Sequence, residues 1–148
     1  MRVSLWAALI AMLAGSGWAA GPVVVYTIAN GSEITGSLTG VPGDAVRGRA
    51  LYAASARAGC PACHGVPGTA GGAASAPGLA GVGGRLSAGA IRLWIVAPVA
   101  IDPETAMPAY YAAGQRTDAE DPLYGGPALT AAEIEDLVTY LAALREPG

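Results

Sequence analysis

Cys60, Cys63 and His64 account for every thiol and imidazole in this 148-residue chain, which holds two Cys and one His. They fall in one run, Cys60-Pro61-Ala62-Cys63-His64. Two thiols three positions apart can each add to a vinyl group of one porphyrin, and the next imidazole can then ligate its iron. The spacing therefore predicts one covalent haem c, with Cys60 and Cys63 as its attachment points and His64 as an axial ligand. Two other chemistries share parts of this set. A closed zinc site needs about four protein ligands, and the chain offers three soft or borderline ones. A thiol–disulfide centre also uses Cys-Pro-x-Cys. It wants a strand before the motif, a helix starting at it and βαβ units around it. Here Gly59 precedes the motif and Gly65-Val66-Pro67-Gly68 follows it.

An iron held by His64 has a second axial position. There is no second His, no spare Cys and no Lys to fill it. Of the three Met, Met1 and Met12 lie in the leader described below, so Met107 is the one thioether left. Met usually fills gaps in a core, but Met107 sits beside Pro108 in a turn-rich stretch, where a core role is poor. His/Met ligation raises the potential, and filling the sixth position favours outer-sphere electron transfer over oxygen chemistry. The Nδ1–H of His64 needs an acceptor to fix the ring, and the Pro77 carbonyl is the candidate. Arg85 is a candidate partner for a haem propionate, against an ordinary solvated Arg. Tyr110 or Tyr111 could bond near the Met side or a propionate, against ordinary packing.

These groups need elements to hold them. Asp44 is an N-cap for a helix over Ala45–Ala58, with Val46, Ala50, Leu51 and Ala54 at apolar spacing and Tyr52 beside them. Gly65–Gly84 reads as a Gly/Ala/Ser/Pro loop, too long to be bare in a compact domain unless it wraps a haem edge. Ser87 caps a second helix through Val96, stopped by Pro98, with Ile91, Trp94 and Ile95 on one face. Residues 100–126 are irregular and rich in turn signals. Thr130-Ala131-Ala132-Glu133 is a capping box for the last helix. Its stripe is Ile134, Leu137, Val138, Leu141 and Leu144, and Glu133, Glu135 and Asp136 suit the dipole at its start. Val23–Ile28 reads as a short β-rich segment turned by Asn30-Gly31. It is expected to be an arm docked on the domain or on a partner, against an unordered tail.

Residues 1–20 read as a secretory signal, with Arg2 at its start, an apolar run from Leu5 to Ala14 and cleavage after Ala19 or Ala20. The run is short of the ~20 apolar residues of a spanning helix, so the mature chain is expected to have no span, against a retained anchor. That leaves an arm or linker over 21–43 and a domain over 44–148. Export suits covalent haem attachment, which places the protein in the periplasm. The formal net charge of −3 drops one unit with Arg2, which argues against nucleic acid or an anionic membrane as partner. A mature chain of about 125 residues buries a limited core, so a haem would supply much of it.

Taken together, these residues resemble a class I cytochrome c. Gly43-Asp44-x-x-x-Gly48-x-x-x-Tyr52 is similar to that family's first-helix pattern, Ala76-Pro77-x-Leu79-x-Gly81-Val82-x-Gly84-Arg85 to its haem-lining loop, and Met107-Pro108 to its distal Met. The resemblance implies an all-α domain of three to five helices around one haem, with Gly48 and Tyr52 meeting the last helix near Tyr140. Leu38-Thr39-Gly40-x-x-Gly43-Asp44, Met107-Pro108-Ala109-Tyr110-Tyr111 and Gly126 to Asp136 narrow it to the SoxX family, over about Tyr26 to Leu144. Members are the small haem subunits of SoxAX complexes, which join thiosulfate oxidatively to a cysteine of the carrier SoxYZ. The resemblance implies a heterodimer with a SoxA-type dihaem or monohaem subunit that carries the catalytic cysteine-ligated haem. This chain would accept electrons, pass them to a soluble cytochrome c and not be catalytic alone. The alternative is a free-standing electron shuttle.

Overall fold

The computed structural model describes residues 24–54, 58–65, 75–111 and 129–145. The signal at 1–20, Val23, and residues 112–126 of the expected irregular stretch lie outside them. Four α-helices form among the described residues: α1 (Ala45–Ala53), α2 (Val82–Arg85), α3 (Ala88–Val96) and α4 (Ala131–Ala143). Two 3-10 turns, Cys60–Ala62 and Pro98–Ala100, complete the order. There is no strand among these residues, so the architecture is all-α as expected.

The caps follow the sequence. Asp44, Ser87 and Thr130 each accept a backbone N–H of their own first turn, and Thr130 with Glu133 closes a full capping box. α4 is the centre of the molecule, with α1, α2 and α3 all packed on it. Its Ile134, Leu137, Val138 and Leu141 are buried, together with Ile91, Leu93, Ile95 and Val96 of α3. Leu93 and Val96 replace Trp94, which is only partly buried, on the inward side of α3.

α1 departs from its apolar spacing. Val46 is 79% exposed and Ala50 is exposed, while Gly48 and Tyr52 face inward. A Cβ on Gly48 would run into the Asp136 carbonyl, so the two backbones touch there. Tyr52 is fully buried and its ring sits 5.9 Å from that of Tyr140, tilted by 56°. Close backbone approach plus an aromatic pair replaces an aliphatic stripe, which is why the periodicity was a poor guide here. α1 ends at Ala53, and Ala54 leaves the helical region; residues 55–57 of the expected helix lie outside the described residues.

α2 forms inside the expected Gly65–Gly84 loop. Val-Gly-Gly-Arg is a poor helix former. Tertiary contact decides, because Gly83 lies directly on the α4 backbone at Ala142 and donates its N–H to the Leu144 carbonyl at 2.9 Å.

Among the described residues the arm pairs with no strand, and its one bridge joins Ala29 to Glu33 across the Asn30-Gly31 turn. It packs on its own domain. Ile34 and Leu38 are buried, Ile34 N–H donates to Gly89 O, and the Tyr26 ring lies 6.4 Å from that of Tyr111. A buried ion pair fastens it. Arg92 Nε and Nη2 bond the two Glu135 oxygens at 2.7 and 2.8 Å. Arg92 also donates to Ile34 O at 2.6 Å, and Glu135 accepts from Leu38 N at 2.9 Å. Asp136 does the same for α1, accepting from Asp44 N and from Arg47 Nε and Nη2. Glu135 and Asp136 thus answer specific partners, beyond the general pull of the helix dipole expected for them.

Candidate haem-binding site

Gly59 starts the site. Its left-handed backbone, φ 63°, admits the sharp entry into the 3-10 turn that Pro61 stiffens. Within the turn the Cys60 carbonyl accepts Cys63 N–H and His64 N–H at 3.2 and 2.9 Å. The two thiols and the imidazole therefore project from one compact, locally closed turn. Cys63 is exposed and Cys60 is part-buried, and neither is in a disulfide.

Three contacts fix the turn from outside. His64 Nδ1 lies 2.8 Å from the Pro77 carbonyl oxygen. A carbonyl can only accept, so Nδ1 carries the proton and Nε2 keeps its lone pair for a metal. Leu79 N–H donates to Gly65 O at 2.8 Å, which locks the 77–79 stretch against the end of the motif. Tyr52 Oη donates to the His64 carbonyl at 2.5 Å. Burial, with Cys60 and Tyr140 nearby, pushes the Tyr52 hydroxyl up to about 12, so it stays a donor across the physiological range.

Arg85 ends α2 and is exposed. Its Nη1 and Nη2 donate to the carbonyls of Ala80 and Gly78 at 2.5 and 3.1 Å, so it braces the strip that carries Pro77. Met107 is half-buried against the core, and its N–H donates to Thr105 Oγ1 at 3.2 Å. The two adjacent tyrosines diverge. Tyr110 Oη donates to the Ala58 carbonyl at 2.7 Å, whereas Tyr111 Oη accepts Val24 N–H from the arm.

The donor set suits a haem c. Burial pushes the Cys60 thiol up to about 11, the opposite of the lowered value an attacking redox thiolate needs. Among the described residues no three His, Cys, Asp or Glu side chains gather to hold a bare metal ion. Two unpaired thiols beside an imidazole with a free Nε2 match vinyl addition and axial ligation. Tyr52, Tyr110 and Arg92 were not singled out for these contacts by the sequence. A hydroxyl on a carbonyl leaves no mark in residue spacing, though the resemblance of Gly48-x-x-x-Tyr52 to a first-helix pattern pointed at the right helix.

The model of the cytochrome c family matches residues 45–145. A chain in the crystal structure of SoxXA from P. pantotrophus is similar at 30% identity and a TM-score of 0.73, over 83% of this chain and 95% of that one. Comparison with curated proteins finds no match. No helix among the described residues is long and apolar enough to cross a membrane.

Proposed function

The chain belongs to the cytochrome c family, as a SoxX-like electron-transfer domain carrying haem c, and from that premise we propose that it serves in the periplasm as the small subunit of a SoxAX-type, thiosulfate-oxidising complex. The supporting observation is the reach of the likeness. It takes in 83% of the chain and almost the whole of the SoxXA chain, more than the 45–145 segment common to the wider family.

In this reading Cys60 and Cys63 would hold one haem, and His64 and Met107 would bind its iron. When bound, it supplies a reversible one-electron iron couple, which His/Met ligation biases toward the reduced form. The chain's own groups do the rest. Pro77 O holds the proton of His64 at Nδ1, and Tyr52 and Leu79 hold the backbone at either side of the imidazole. Arg85 sets a positive charge beside the Pro77–Ala80 strip, where it would offset a haem propionate. Coupling thiosulfate to a carrier cysteine forms one sulfur–sulfur bond and releases a proton and two electrons. No thiol exists here beyond Cys60 and Cys63. The bond-making therefore belongs to a SoxA-type dihaem or monohaem partner acting on a SoxYZ-type carrier. This chain takes the electrons singly and hands them to a soluble cytochrome c.

Co-expression with a SoxA-type subunit tests the reading. A stable heterodimer on size exclusion is expected. Elution of this chain alone at every concentration tried would leave it a free-standing shuttle.

A further inference from the structure

Met107-Pro108-Ala109-Tyr110-Tyr111 ends in two tyrosines with different tasks. Tyr111 is buried and serves the arm through Val24 and Tyr26. Tyr110 reaches the other way, and its hydroxyl donates to the carbonyl of Ala58 at 2.7 Å. Ala58 is 3% exposed and stands two residues before Cys60, with only Gly59 between. The backbone of Tyr110 is itself pinned. Its N–H donates to Ile95 O at the end of α3 at 3.0 Å, and its carbonyl accepts Leu129 N–H just before α4 at 3.1 Å. The ring thus stands on a fixed base between two helices, and only Pro108 and Ala109 separate that base from Met107.

From this geometry we infer that Tyr110 is a positioning residue for Met107, its hydroxyl tying the Met107 segment to the chain that enters the thiol turn. The inference rests on the reading of Met107 as an axial ligand. A thioether is a neutral, weak ligand, so its hold on iron depends on how rarely its segment swings away. His64 is fixed by its own turn. A bond from the Met107 side to Ala58 makes both axial ligands part of one clamp. Cutting that bond leaves a buried carbonyl without its tyrosine donor and raises the open population by about fivefold or more. An added nitrogen ligand binds only the open form, so its apparent affinity rises by the same factor.

The test uses the holoprotein and imidazole, read through the weak red Met–iron charge-transfer band. In Tyr110→Phe, imidazole should displace the band at an at least about fivefold lower concentration than in wild type. Tyr111→Phe makes the same chemical change one residue away and removes only the Val24 contact of the arm, so its imidazole titration should match wild type. A wild-type titration in Tyr110→Phe, with the band present in both proteins, overturns the inference and leaves Met107 ligation intact. An equal shift in both variants also overturns it, since general loosening then explains the effect. A wild-type protein without the band, unchanged in Met107→Ala, removes the ligation reading and the inference with it. Should Tyr110→Phe not load haem, 3,5-difluorotyrosine at position 110 keeps the ring and strengthens the donor. Imidazole should then bind more weakly at mildly acid pH, and unchanged binding overturns the inference.

Discussion

At the scale of single residues, the site divides into groups that do chemistry and groups that aim them. The sequence puts the candidate chemical groups forward because covalent haem attachment needs Cys60, Cys63 and His64 contiguous, and because Met107 is the one Met beyond residues 1–20. The aiming groups were legible only where a carbonyl had to meet the imidazole, as at Pro77. Tyr52 reaches His64 from α1 and Tyr110 reaches Ala58 across a separation of 52 residues, and neither contact has a local pattern. The ligand assignment makes a direct prediction. Met107→Ala should keep the haem but lose the red Met–iron band and lower the potential by on the order of 0.1 V, within the roughly 0.8 V that axial ligands command. An unchanged band and potential would show another group on the iron.

At the scale of elements, backbone contact on α4 governs the arrangement. Gly48 lets α1 approach until its backbone meets Asp136. Gly48→Ala would normally favour a helix by about 1 kcal/mol. Here it should instead destabilise the holoprotein by at least about 1–3 kcal/mol through overpacking. A raised unfolding midpoint in denaturant would contradict that packing. The same register brings Glu135 and Asp136, adjacent on α4, to two different clients. Arg92–Glu135 is buried on both sides, with side-chain exposures of 7% and 2%. Glu135→Gln leaves Arg92 buried and uncompensated, at a cost of about 3–5 kcal/mol. It also weakens the hold on Ile34 and Leu38, so limited proteolysis should cut the arm sooner than the domain. Equal protection of the arm in the variant would count against the lock. Periodicity could not show this pair, because its members lie on different helices and the arm they hold reads locally as a strand.

Asp136 sets the acid behaviour of the α1–α4 contact. Burial pulls its carboxyl up, but the Arg47 guanidinium and the Asp44 N–H outweigh it and hold the group below its ordinary value. A carboxylate lowered in the folded state stabilises above its unfolded value and loses that contribution as pH falls through the folded one. Stability of the native protein should therefore decline on the acid side of 3.8, its ordinary value. Asp136→Asn should flatten that limb, as followed by unfolding midpoint against pH. An acid limb of unchanged slope would place the linked proton elsewhere.

At the scale of the whole molecule, the arm and the helices form one unit. The arm is not a detachable tether: Ile34 and Leu38 sit in the same core as Leu93, Ile134 and Leu137. The formal net charge of the sequence is −3, which haem propionates would make more negative. The expectation of a docked arm came from its apolar run. That it docks on its own domain came only with Arg92, Glu135 and Tyr111 in place.

The central claim is that the Cys60–His64 turn carries one haem bonded through both thiols. A pyridine haemochrome spectrum of the holoprotein, quantified per chain, tests it most directly. The α-band should stand at the position for two saturated vinyl groups, with one haem per polypeptide. An α-band at the position for free vinyls, or none at all, would contradict the account and return the two cysteines to thiol chemistry.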